Sequence, residues 1–156
     1  MIELKIEPHI GIGPIKLGAS RHEARAALSA IGLPLEAADK NLDYFDRAGI
    51  KVEYTSDCAS FIGVSHSKVC LFTYFGKNVF DTPATELFEL FASNEATGNH
   101  VFNTYEHVFP EQILTLWDAD EQYDRIGMET RVMWAQVGVG NGVYLRAIRR
   151  IGGEAV

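Results

Sequence analysis

Three stretches of this 156-residue chain bring together residue types able to do chemistry. Gly13-Pro14-Ile15-Lys16-Leu17-Gly18-Ala19-Ser20 has the outline of a phosphate-binding loop, with two spaced glycines and a serine ahead of a helix. That loop needs a lysine before the serine to reach the outer phosphates, and Ala19 stands there, so the passage reads as a turn into a capped helix. Gly11-Ile12-Gly13 lacks the third glycine of a dinucleotide fingerprint. Asp118-Ala119-Asp120-Glu121-Gln122-Tyr123-Asp124, ending at Glu129, spaces its oxygen atoms like a calcium loop, but Tyr123 occupies the place that needs glycine. The reading is a solvated acidic loop. Cys58, His66 and Cys70 could hold a soft metal or form a thiol–imidazole pair, yet their spacing is irregular and no Cys-x-x-Cys occurs. They are the first residues to consider for a small-molecule site; as plain thiols, both cysteines are expected free and buried. His9, His22, His100 and His107 are scattered, with His22 expected at the surface. No metal, cofactor or catalytic residue is assigned, and the chain is read as a non-enzyme.

The elements that would position these residues follow from periodicity. Ile2, Leu4 and Ile6 alternate with charged residues as a half-buried strand does. Ser20-Arg21-His22-Glu23 is a capping box, and Ala24, Ala27, Leu28 and Ile31 recur at helical spacing before Gly32 and Pro34, which predicts a helix over 21–31. Strands are predicted over 42–46, 50–55, 61–65 and 68–75, with turns at Arg47-Ala48-Gly49 and Ser56-Asp57-Cys58. Thr82-Pro83 opens a second helix of about eleven residues striped by Ala84, Leu87, Phe88, Leu90 and Phe91. Strands follow over 101–108, 113–117, 131–138 and 143–148, the last two joined by a primed turn at Gly140-Asn141-Gly142. Both halves, about 1–78 and 79–156, thus run helix then antiparallel strands. The predicted fold is α+β: tandem units forming one sheet with helices packed on one face, in a single domain spanning 1–156.

Charge separates the halves. Residues 1–78 hold nine Lys/Arg and nine Asp/Glu, whereas from Asp81 to Glu129 eleven acids face Arg125 alone, a net charge of −10. Clustered cations, which a phosphate backbone requires, are missing, so direct nucleic-acid binding is disfavoured. No apolar run reaches the ~20 residues of a membrane helix, and the opening residues do not read as a secretory signal. The expected compartment is the cytoplasm. The basic tail strand offers a sheet edge through which copies could associate.

Gly13-Pro14-Ile15-Lys16-Leu17-Gly18-Ala19-Ser20-Arg21-His22-Glu23-Ala24-Arg25, with the hairpin Asp43-Tyr44-Phe45 and Gly49-Ile50-Lys51-Val52 behind it, resembles the opening of small bacterial tandem α+β proteins. These include lipoproteins of outer-membrane barrel assembly, β-lactamase-inhibitor-like repeats and immunity-type proteins encoded beside polymorphic or contact-dependent growth inhibition toxins. Leu116-Trp117, Val137-Gly138-Val139-Gly140 and Gly142-Val143-Tyr144 are similar to the closing strands of the toxin-associated group. No lipid-bearing cysteine lies near the start, which points away from barrel assembly. The resemblance implies an immunity protein whose partner is a cognate toxin, and the −10 segment suits a basic nuclease domain. Asp118, Asp120, Glu121 and Asp124 would supply complementary charge, with Tyr123 and Trp117 as anchors. The alternative is a small-molecule-binding domain or minor enzyme with a cleft between sheet and helix.

Overall fold

The computed structural model describes residues 1–96, 101–103, 106–123 and 130–151. Among them are thirteen strands and three helices: β1 (Ile2–Glu7), β2 (Gly11–Ile12), β3 (Ile15–Lys16), α1 (Arg21–Ser29), β4 (Ala37–Asp39), β5 (Leu42–Phe45), β6 (Ile50–Thr55), β7 (Cys58–Val64), β8 (Cys70–Tyr74), β9 (Lys77–Asn78), α2 (Ala84–Ser93), β10 (Val101–Asn103), β11 (Glu106–Phe109), β12 (Leu114–Tyr123), β13 (Thr130–Gly140) and α3 (Gly142–Ile151). The smaller sheet has the order β3-β2-β1-β8-β9, with β1 and β8 parallel through Leu4 opposite Phe72. The larger, β10-β11-β12-β13-β7-β6-β5-β4, is antiparallel throughout.

This overturns the α+β expectation of one sheet with helices on one face. The protein is mostly β, with two sheets and three short helices. The reason lies in alternation: Val52, Ile62, Val64, Leu116 and Val137 leave one apolar face on the large sheet, and Leu4, Ile6 and Phe72 of the small sheet meet it in a shared core. α1 and α2 add Leu28, Leu87 and Phe91 to that core. β13 pairs with both β12 and β7, so strands from the two halves of the chain share one sheet.

Local chemistry explains which predicted elements form. Ser20 accepts the Glu23 N–H at 3.1 Å and starts α1, as its capping-box position requires. The phosphate-loop outline is a small hairpin, β2 against β3, with Gly13 at φ +53° in its turn. Its backbone donors are taken: Gly18 N–H bonds Ala59 O at 2.8 Å and Ala19 N–H bonds Lys16 O at 3.1 Å. Ser56 and Asp57, both at positive φ, make the two-residue turn joining β6 to β7.

Two predicted elements are replaced. The strand expected over 143–148 is helix α3, because Asn141 is a cap and not a turn residue: its Oδ1 accepts the N–H groups of Val143 at 3.1 Å and Tyr144 at 3.3 Å. The acidic loop from Asp118 is strand as far as Tyr123, where Asp120 pairs with Met133, Glu121 with Val132 and Tyr123 with Thr130. No described helix is long and apolar enough to cross a membrane.

Candidate functional site

β12 and β13 outrun their neighbours. β11 reaches only Leu114 to Trp117, and β7 only Val137 to Gly140; beyond these the two strands pair only with each other among the described residues. The result is a two-stranded ribbon leaving the large sheet. At its root the backbone breaks the usual alternation: Asp118 has φ +47°, and Trp134 and Val137, three apart, both enter the core cluster. Trp134 Nε1–H donates to Ala84 O at 2.9 Å, tying the root to α2.

Of the residues expected to bind a partner, Trp117 and Asp118 lie side by side at this root and both are exposed, Trp117 at 39%. Asp120, Glu121 and Tyr123 continue the same strand. Their side chains, and Asp124 altogether, lie outside the described residues. Asp118, Asp120 and Glu121, expected in a loop, are therefore carried on a strand. Val132, on the facing strand, is 46% exposed.

A second site assembles on the large sheet's outer face, opposite the core. There Lys51 and Glu53 of β6, Phe61 of β7 and Glu106 of β11 share a side by strand alternation, and α3 lies over them. Tyr144 of α3 stacks on Phe61 with ring centroids 4.2 Å apart and 17° between planes, and its hydroxyl donates to Glu106 Oε1 at 3.4 Å. Lys51 Nζ sits 5.7 Å from the centre of the Phe61 ring. Burial raises the pKa of Glu53, with Lys51 opposing; it raises that of Glu106 and the Tyr144 hydroxyl too. A cleft of about 470 Å³ opens here between the β4–β6 edge and α3, lined by Glu53, Ser60, Tyr144 and Ile148 among others. No linear motif marks these residues, since they come from separate elements and Tyr144 reads as part of a strand.

On the core side of the same strands lies an ionic cluster. Asp43 is fully buried; Arg21 and Arg25 each bridge it, at 2.8 and 2.7 Å, and the Tyr54 hydroxyl donates to its Oδ2 at 2.9 Å. Arg21 also donates to the carbonyls of Asp39 at 2.8 Å, Lys40 at 2.9 Å and Leu42 at 3.0 Å. This cluster fastens α1 to the β4–β5 hairpin, and with every carboxylate oxygen engaged it has a structural role.

No family model, curated protein or solved structure matches this chain.

Cys58, His66 and Cys70 do not converge as a metal site: no group of three or more His, Cys, Asp or Glu among the described residues is placed to hold a metal. Both cysteines are free, but only Cys70 is buried; Cys58 begins β7 beside the Ser56-Asp57 turn and is exposed, against expectation. Burial, with Asp46 nearby, pushes the Cys70 thiol up. His22 is exposed as expected. Titration with a chromogenic disulfide at pH 8 is expected to label one thiol per chain quickly and the second only in denaturant. Two fast thiols would contradict the burial of Cys70.

Proposed function

We propose that the chain is an immunity-type protein that binds and neutralises a cationic protein toxin, a basic nuclease domain, through the β12–β13 ribbon. The observation that supports this most is the exposed Trp117 next to the exposed Asp118 at the root of a ribbon that carries Asp120 and Glu121. A nuclease must present cations to a phosphate backbone, and an acidic ribbon steers association with such a surface. A half-exposed indole supplies apolar area to bury, and strand edges that have no partner among the described residues supply backbone donors and acceptors.

The test begins with capture of partners from the protein's own host at low and high salt and identification of what salt releases. Association of that partner is then timed with wild type and with a variant combining Asp118→Asn, Asp120→Asn, Glu121→Gln and Asp124→Asn. The expected result is association slowed at least tenfold at low salt, a gap that narrows as salt rises, and loss of protection in cells making the toxin. Trp117→Ala is expected instead to speed dissociation, by about tenfold or more. A neutralised variant that binds and protects like wild type would sink the proposal.

A further inference from the structure

The cleft beneath α3 carries an inference independent of the ribbon. We infer that it is a binding site for a cationic group on an aliphatic stem, an alkylguanidinium or alkylammonium, received by the Glu53 carboxylate. Glu53 is only partly exposed, yet among the described residues its carboxylate accepts no hydrogen bond and has no cation within ion-pair distance. Lys51, two residues along the same strand face, is directed over the Phe61 ring. A partly desolvated carboxylate with no hydrogen bond or close ion pair among the described residues, at the wall of an open cleft, lacks what a ligand cation would supply.

The remaining walls define the rest of the ligand. Leu42, Ala147, Ile148 and the ring of Tyr144 give apolar surface for a stem of several methylenes, in a volume of about 470 Å³. Among the described residues lining the cleft, Asp39 and Glu53 stand against one cation, Lys40, so an anionic head group would meet net negative charge there. Thr55 Oγ1 and Ser60 Oγ, 3.0 Å apart, add hydroxyls that can accept from a guanidinium. The wall made by residues 39–42 is held in place from behind, because Arg21 bonds three of its carbonyls. A preorganised wall lowers the ordering cost of binding.

Such a cation could be a free small amine or an arginine or lysine side chain of a protein, and two probes separate these sources. Calorimetry with n-butylguanidinium, and with a capped glycine-arginine-glycine tripeptide, is run alongside NMR of the Tyr144 ring. Saturable binding that shifts the Tyr144 resonances is expected, with n-butyrate giving none. Glu53→Gln is expected to weaken it at least tenfold, the loss of one charged hydrogen-bond partner. Ala147→Trp, at an exposed position on the cleft, is expected to abolish it with the near-ultraviolet spectrum otherwise folded. Tighter binding of n-butylguanidinium assigns a free ligand; tighter binding of the tripeptide assigns a protein side chain. The neutralised ribbon variant should bind both probes as wild type does, so the two proposals fail separately. Absence of saturable binding by either probe, or equal binding by Glu53→Gln, overturns the inference.

Discussion

Replacing Asp43 with alanine is expected to cost about 3–5 kcal/mol, the range for removing one partner of a buried ion pair. The side chain has no exposure, and its two oxygens receive Arg21 Nε at 3.2 Å, Arg21 Nη2 at 2.8 Å, both Arg25 donors at 2.7 Å and the Tyr54 hydroxyl at 2.9 Å. Without it two guanidinium groups and a buried phenol lose their acceptor. Arg25 is partly open to water and relaxes into it, which places the loss toward the lower end. The same carboxylate sets an acid limb. Burial alone would raise its pKa, but the hydrogen bonds from Arg25, Arg21 and Tyr54 outweigh burial and bring it from 3.8 to about 2. A folded-state pKa below the unfolded one stabilises fully above about pH 4, and that contribution, about 2 kcal/mol, is lost as pH falls toward 2. Urea unfolding at pH 7, 4 and 2 measures both effects. Asp43→Asn should show less of the acid-dependent loss than wild type, and an Asp43→Ala cost under 1 kcal/mol would refute the cluster's structural role.

How far the amino-acid order reveals this fold depends on how local each interaction is. The first helix is readable because Ser20 and its apolar stripe lie within one short segment, and β6 is readable over Ile50–Thr55 because Ile50, Val52 and Tyr54 alternate. The second sheet is not readable, because it depends on β1 lying parallel to β8, a pairing of residues far apart in the chain. α3 was hidden by composition: Val143, Tyr144 and Ile148 are good strand formers, and the signal that decides for helix is the Asn141 cap. Asp118–Tyr123 looks like loop because its residues do not alternate apolar and polar, and its strand comes from pairing with the separate segment 130–134. The candidate sites divide likewise. The acidic run with Trp117 is contiguous and visible as charge, whereas Glu53, Glu106 and Tyr144 meet only through strand register and the docking of α3. The tandem α+β reading failed at this non-local level, even though many of its individual strands exist.

The stack of Tyr144 on Phe61 is a main contact between α3 and the sheet, and substitutions on either side of that ring should reveal its weight. Phe61 is 1% exposed, pressed between Gly138 beneath and Tyr144 above. Phe61→Ala is expected to cost about 3–5 kcal/mol, with a further sign that simple cavity loss would not give: Tyr144 loses its stack and its near-ultraviolet signal weakens. Gly138 is the complementary probe. A Cβ there would lie 2.3 Å from Phe61 Cζ and 2.6 Å from Thr115 Oγ1, closer than real contacts allow. The ring cannot retreat toward Tyr144, already at stacking distance, so Gly138→Ala should cost about 1–3 kcal/mol by overpacking. If the clash is with the ring, the two changes are not additive. Once Phe61 is alanine the new methyl has room, because Thr115 Oγ1 has no hydrogen bond to hold its rotamer. The double variant should then be no less stable than Phe61→Ala alone, leaving a coupling energy as large as the Gly138→Ala cost. Additive costs would mean that Gly138 is required for another reason and that the methyl does not meet the Phe61 ring. Coupled costs would fix the Phe61 ring against Gly138, and together with a weakened Tyr144 signal in Phe61→Ala would make that ring the support for Tyr144 and for the wall against which Glu53 faces its cleft.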